Sequence, residues 1–365
     1  MLRERRAGIL ELGTRQKSRP ELIVPEGVKP ALRYNYWNLA DNTPAYLKEF
    51  TDAKPPVRTY IPEMDAALGG GLRPGAHFIG GSTGAGKTAL ALYIAERVAS
   101  CKKPESEQHY GVTIISLELR GCEVRARLGS RLSLARDELQ TWKWPDFERL
   151  GDEAALGLDN STYSPEKDRV YMADCKLMEL CPRMRIVDGV AVHDANGLLY
   201  ITEEIAATGR QSGDLVVLDY LQCIDAGEGL DELSMLRDAV RSINLAALRA
   251  RVPVLVISAV NREASKAAFA KGKNPGPGVF RGSSWIEYTA QSAWALVREP
   301  DAERTENYVL ERLWPVKNRY GNGSKPIELA YDGAHGQFHT AGTAAQSSSK
   351  DYMEVLSLIQ GESLG

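Results

Sequence analysis

Apolar residues in this chain come in short continuous blocks. They run over Val112–Leu117, Met184–Val187, Leu215–Leu218 and Val252–Ser258, with longer mixed stretches between them. Blocks of this length, rich in β-branched residues and lacking alternation, predict strands buried on both faces, the pattern of a parallel sheet. Between two of the blocks, Leu233, Leu236, Val240, Ile243 and Ala247 recur at alternating spacings of three and four. That spacing predicts one face of a helix lying on the sheet. His77-Phe78-Ile79 reads as a further strand and Ala89–Ala95 as the helix after it. Past Ala295–Arg298, the stretches Asn307–Arg319 and Pro326–Tyr331 predict antiparallel strands turning at Gly321-Asn322-Gly323. The predicted class is α/β, with a central, mostly parallel, twisted sheet flanked by helices and antiparallel strands added at the C-terminal end.

The same reading divides the chain. Residues 1–56 are polar and punctuated by proline, and predict an arm or linker with a short helix at Pro44–Phe50. Tyr60–Leu68 reads as a capped turn and helix, and Gly69–Gly75 as the turn into the first strand. Residues 57–340 hold the predicted sheet. The stretch from about 145 to 183 follows no clean period and predicts an excursion from the core, a helix plus a long surface loop. Residues 341–365 predict a flexible tail, in which Met353, Val355, Leu356 and Ile359 are spaced for a short amphipathic helix. Whether that helix docks is open at this level. No internal repeat is visible.

Composition narrows the class. The chain has 365 residues, 43% hydrophobic and 25% charged, with a net charge of −3. Those are the proportions of an ordinary soluble protein, and nucleic acid would have to be held by local basic loops rather than by the whole surface. No apolar run is long enough to span a membrane, and Met1–Arg6 lacks the apolar core of a secretion signal, so a cytoplasmic protein is expected. Cys101, Cys122, Cys175, Cys181 and Cys223 are odd in number and scattered, which predicts reduced thiols. Cys175 and Cys181 lack a second pair to complete a zinc site. His335 and His339 lie among glycines and read as solvated loop residues.

The chemistry starts at Gly81-Ser82-Thr83-Gly84-Ala85-Gly86-Lys87-Thr88, a complete Walker A phosphate loop. Its glycines let backbone N–H groups turn inward around the β- and γ-phosphates of a nucleotide. Lys87 adds a point charge there, and the Thr88 hydroxyl is placed to ligate Mg²⁺. A chance glycine-rich turn would lack the flanking strand and helix found here. ATP with Mg²⁺ is therefore the predicted cofactor.

Two carboxylates complete this reading. Asp219 ends the apolar strand Leu215–Leu218 in the Walker B manner and would hold the magnesium through its water shell. Glu118 ends the neighbouring strand Thr113–Leu117, where a carboxylate can polarise the water that attacks the γ-phosphate. An acid merely satisfied at a strand end accounts for Glu118 equally well from its position alone.

Together the pieces resemble a family. Ser116-Leu117-Glu118-Leu119, Asp219-Tyr220-Leu221-Gln222, Ser258-Ala259-Val260-Asn261-Arg262 and Lys317-Asn318-Arg319-Tyr320-Gly321 occur in the order found in DnaB-type replicative helicases, over roughly residues 57 to 340. Gly69–Gly75 and the Arg281…Ile286-Glu287 segment match as well. The Lys-Asn-Arg piece is shared with RadA-type recombination ATPases. The resemblance implies a RecA-like motor that assembles into a ring of six and acts on single-stranded DNA in plasmid, phage or mobile-element replication, with a loader or replication initiator as a further partner. It makes Glu118 the catalytic carboxylate, and Lys317 and Arg319 a basic finger reaching into the neighbouring subunit's nucleotide site. Arg262, Lys266, Lys271, Lys273 and Arg281, opposed only by Glu263 and set around a Gly/Pro-rich centre, fall where the family's loops hold the DNA backbone. Such a run is otherwise a solvated loop.

This chain also departs from the family pattern. Where the family has a glutamine that senses the γ-phosphate, it has Ala259, and acidic positions after Glu287 are replaced by Thr289 and Gln291. The helical N-terminal collar is not among the residues before the motor. A RadA-like recombination ATPase, or a regulatory ring that binds ATP without unwinding, are the rival readings.

Overall fold

The computed structural model describes residues 53–104, 106–133, 145, 173, 175–189, 197–224, 232–260, 274, 276–280, 283–298, 302–321, 325–340 and 358–359. The chain divides into two compact units, 1–55 and 56–365, and the second holds the elements below. The expected helix at Pro44–Phe50 lies outside the described residues, as do Asn322 and Gly323 of the expected turn and most of the excursion after residue 145.

The strands are β1 (Gly75–Gly81), β2 (Val112–Ser116), β3 (Met184–Asp188), β4 (Leu215–Asp219), β5 (Pro253–Ala259), β6 (Ser292–Val297), β7 (Val309–Asn318), β8 (Ile327–Asp332) and β9 (Gln337–His339). They form one sheet in the order β3-β2-β4-β5-β1-β6-β7-β8-β9. From β3 to β6 every neighbouring pair is parallel, and from β6 to β9 every pair is antiparallel. The chain thus has the RecA-like α/β fold expected. The apolar blocks behave as their composition requires: all of β1, β2, β4 and β6 is buried, whereas edge strand β3 is only partly so.

Two helical layers cover the sheet, and side-chain alternation assigns each strand residue to one of them. Val217, Leu255 and Ile257 pack with Leu90, Ile94 and Val98 of α2 (Lys87–Ser100), which follows the short α1 (Pro62–Ala67). Asp65 of α1 reaches back to accept the Thr59 and Tyr60 N–H groups at 2.7 and 3.2 Å, so the expected capped turn forms. Next along the chain comes α3 (Gly121–Ser133). On the other face, Val216, Leu218, Val254 and Val256 pack with Ile201 and Ile205 of α4 (Gly197–Arg210) and with α5 (Glu232–Ala250). In α5, Leu236, Val240, Ile243 and Ala247 are buried as predicted, but Leu233 is 62% exposed. It lies in the helix's first turn. The short α6 (Ser283–Thr289) leads into β6.

Three further differences concern residues after the excursion begins. Leu177 and Cys181, at the end of the predicted excursion, are core residues. His335 and His339 are not solvated loop residues. His335 Nδ1 donates to Asp332 Oδ2 at 2.6 Å, and His339 belongs to β9, with its ring edge-on to Tyr308 at 5.7 Å. Pairing of β9 with β8 was too short to show as a periodic pattern. Within 341–365 the described residues are Leu358 and Ile359, which are helical, and Leu358 is buried against Tyr308, Leu310 and Ala330, so these two residues dock on the antiparallel strands. All five cysteines are free thiols, and among the described residues no cluster of three ligand side chains is set to hold a metal. No helix among them is long and apolar enough to cross a membrane.

Candidate functional site

The carboxyl ends of β1, β5, β4 and β2 lie side by side, and a cavity of about 730 Å³ opens above them. A crevice at the carboxyl edge of a parallel sheet is where α/β folds bind ligands. The phosphate loop forms its floor. Gly81 pairs with Ala259 of β5 on one side and with Leu296 of β6 on the other, so the loop leaves the middle of the sheet. Gly86 caps α2 in the left-handed conformation (φ +77°), and a Cβ there would stand 3.1 Å from the Tyr331 ring. Both the backbone and the space demand glycine. With no side chain capping α2, its first N–H groups face the cavity, the arrangement that receives phosphate.

Lys87 Nζ donates to the Ser82 carbonyl at 2.9 Å, folded over its own loop. Burial lowers its pKa, an effect opposed by Asp219, Glu118 and Glu311. Asp219 is 5% exposed, and burial raises its carboxyl to about 6 in spite of a hydrogen bond from the Thr88 hydroxyl and the charge of Lys87. Its Oδ1 is buried and has no hydrogen-bond partner. An orphaned carboxylate oxygen beside a hydroxyl, where a polyphosphate would arrive, is a donor set that suits Mg²⁺. Glu118 is exposed at the cavity wall. Gly81, Ser82, Thr83, Gly84, Gly86, Lys87, Thr88, Asp219 and Glu118 therefore share one cavity, while Ala85 is buried beneath it.

Three charged or aromatic lining residues were given no role by the sequence reading. Arg127 comes from α3, Tyr220 follows Asp219, and Tyr331 comes from β8. Tyr331 stacks on Phe338 (4.4 Å, 19°), and Arg298 lies over its ring at 5.7 Å. Arg298 in turn donates to the buried Glu311 at 2.9 Å, and burial raises that carboxyl to about 7 against the pull of Arg298. Nothing local in the sequence marks Tyr331, because only the antiparallel extension of the sheet carries it back under the loop.

Lys317 and Arg319 stand elsewhere. Asn318 pairs with Ser292 at the start of β6, so both basic residues lie at the sheet edge opposite the phosphate loop. There they grip the end of α6: Lys317 Nζ donates to the Glu287 carbonyl, and Arg319 donates to Tyr288 and Ala290 carbonyls at 2.8 and 3.1 Å. Burial and the neighbouring Arg319 bring the Lys317 pKa down to about 8. Gln291, where the family pattern has an acid, accepts the Tyr320 hydroxyl at 2.9 Å. Arg262, Lys266, Lys271, Lys273 and Arg281 lie outside the described residues.

Comparison with known proteins bears on this geometry. The family model of the DnaB-like helicase C-terminal domain matches residues 56–340. Among solved structures, one described as an ATPase domain superposes with a TM-score of 0.62 at 19% identity, over 83% of this chain and 98% of its own. A DnaB-like replicative helicase, described with its interactions with primase, superposes with a TM-score of 0.59 at 19% identity, over 82% of this chain and 68% of its own. At such identity the two structures speak for the fold. No curated protein matches the chain.

Proposed function

The chain belongs to the DnaB-like helicase C-terminal domain family, and from that premise we propose a ring-forming motor that hydrolyses Mg·ATP between subunits and moves on single-stranded DNA. Membership makes it an ATP-driven helicase motor. The finer reading is supported above all by one observation: the phosphate loop and the Lys317–Arg319 pair lie level with opposite ends of strand β6. A subunit so built holds half of a site at each end, and a head-to-tail ring joins the halves. Six is the ring size that the family resemblance implies.

Within the cavity each residue has a task. The loop's N–H groups and Lys87 take the β- and γ-phosphates. Thr88 and Asp219 would hold Mg²⁺, which neutralises charge on those phosphates when bound. Glu118 accepts a proton from the attacking water and aims it. Arg319 and Lys317 of the adjoining subunit stabilise charge on the transferring phosphoryl group. The basic residues from Arg262 to Arg281 contact the DNA backbone without reading bases.

A ring that binds ATP without unwinding is the second reading. Ala259 favours it, because it lines the cavity and offers phosphate no side-chain hydrogen bond. ATP turnover with and without single-stranded DNA, alongside the particle mass by native mass spectrometry, separates the two. The motor reading expects DNA-stimulated turnover by a particle several times the 40.1 kDa chain. Turnover by a lone chain, or by a ring indifferent to DNA, rejects it.

A further inference from the structure

Strand β5 reaches the nucleotide cavity at a residue without a polar side chain, yet its tip is tethered. The Ala259 N–H donates to Gln222 Oε1 at 3.0 Å, and Gln222 Nε2 donates to Ser258 Oγ at 2.9 Å. A backbone N–H can only donate, so the atom facing it must be the amide oxygen, and this settles which way the amide points. One side chain thus holds two consecutive residues of β5. Gln222 sits in a one-turn 3₁₀ helix, Leu221–Cys223, shortly after Asp219, and Leu221 within that turn is fully buried. Only Tyr220 and the buried Leu221 separate Asp219 from Gln222 along the chain.

Beyond Ala259 the chain is held a second time. Val260 and Phe280 form an isolated antiparallel bridge, a stem from which the intervening residues depart and to which they return. Both side chains rest on Gly80 of β1, next to the first residue of the phosphate loop. A Cβ at Gly80 would lie 2.4 Å from the Phe280 ring and 2.9 Å from Val260 Cγ1. The stem is therefore in contact with the nucleotide-binding strand on one side, and through Ala259 and Gln222 with the Asp219 turn on the other.

We infer that Gln222 and the Val260–Phe280 stem form a relay, carrying the state of the nucleotide site from the Asp219 turn to the segment that departs between those two residues. Gln222 acts as a positioning residue. Its amide ties the tip of β5 to the turn that follows β4. The proposal rests on the reading of the cavity as a nucleotide site. It does not require that the segment bind DNA.

Hydrogen exchange followed by mass spectrometry tests the relay directly, on the full chain with and without a non-hydrolysable ATP analogue and Mg²⁺. In the parent, the analogue should slow exchange in peptides containing Ala259–Val260 and Phe280 by about tenfold, the scale of one gained hydrogen bond. Gln222→Met keeps the side-chain volume and removes both hydrogen bonds. It should bind the analogue as the parent does and lose that response. Gln222→Glu keeps the acceptor for the Ala259 N–H and should restore part of it. Phe280→Leu trims the contact with Gly80, spares the Gln222 bonds, and should weaken the same response. It serves equally should Gln222→Met fail to fold. A parent without the response, a Gln222→Met chain that retains it, or one that loses analogue affinity in step overturns the relay. If the response behaves as stated but turnover ignores single-stranded DNA, the motor reading fails and the relay stands.

Discussion

Lys87 and Arg319 face away from each other across one sheet. Gly81, at the head of the phosphate loop, pairs with Leu296 of β6, whereas Asn318, beside Arg319, pairs with Ser292 at the other end of that strand. At about 3.3 Å per residue the two ends are some 13 Å apart along the strand before either side chain is counted. The Arg319 guanidinium, moreover, is turned onto the Tyr288 and Ala290 carbonyls. Under the proposed ring, a cation placed this way would serve a neighbour's phosphate loop, and the neighbour on the other side would serve its own.

That arrangement predicts complementation. Glu118→Gln should bind ATP and hydrolyse it about a hundredfold more slowly or worse, and Arg319→Ala should be similarly impaired. Mixed in equal amounts, they should recover roughly a quarter of parental turnover, since random placement in a ring leaves that share of interfaces with both groups. Turnover is measured on mixtures whose mixed composition is confirmed by native mass spectrometry. No recovery in verified mixed rings would mean that the two groups do not meet across an interface.

The Asp219 carboxyl, raised to about 6 by burial, predicts a pH-dependent need for magnesium. Its folded-state pKa lies above the ordinary carboxylate value, so the acid holds a proton below pH about 6 and must release it to serve a cation. The Mg²⁺ concentration giving half-maximal turnover should therefore climb as pH falls through 6, approaching tenfold per unit. Asp219→Asn should raise the requirement at all pH values and flatten its slope. Magnesium titrations of residual turnover across this range check both, and an unchanged slope in the variant would assign the titration to another group.

Behind the phosphate loop, Arg131 predicts a stability effect. Its side chain is 1% exposed, donates to Glu96 of α2 at 3.1 Å and to the Gly336 carbonyl, and lies over the Tyr93 ring at 4.8 Å. Arg131→Met should cost about 3 kcal/mol, because it removes the buried guanidinium from Glu96 and leaves that carboxylate only the more exposed Arg97 at 4.0 Å and the Ser100 hydroxyl. Glu96→Gln in the same chain should recover much of the loss. Urea unfolding gives the cycle, and additive effects of the two changes would show that the pair is not coupled.

Lys271, Lys273 and Arg281 carry the nucleic-acid reading. Neutralising them together should weaken binding of single strands of any sequence and reduce the dependence of affinity on salt, since each lost phosphate contact releases about one counterion fewer. Fluorescence anisotropy at several salt concentrations measures both. Equal affinity and equal slope would return this segment to an ordinary solvated loop.

Read alone, the chain determined the phosphate loop, the Asp219 and Glu118 strand ends, and the order of buried strands. Each is written in contiguous residues: a parallel strand is apolar throughout because both its faces are covered, and a phosphate loop works through the backbone of one short run. Tertiary structure decided whatever depends on two distant segments meeting. Tyr331 reaches the loop only because β7 and β8 fold back along β6, and His335 and His339 become ordered only because β9 pairs with β8. Leu233 has the spacing of a core residue but is exposed in the first turn of its helix, a fact that helical period cannot express. Ala259 read as a missing amide, and only the packing of the Asp219 turn against β5 shows Gln222 bonded to its N–H. Local pattern records which face of an element is apolar, while the identity of what covers it is set by chain topology.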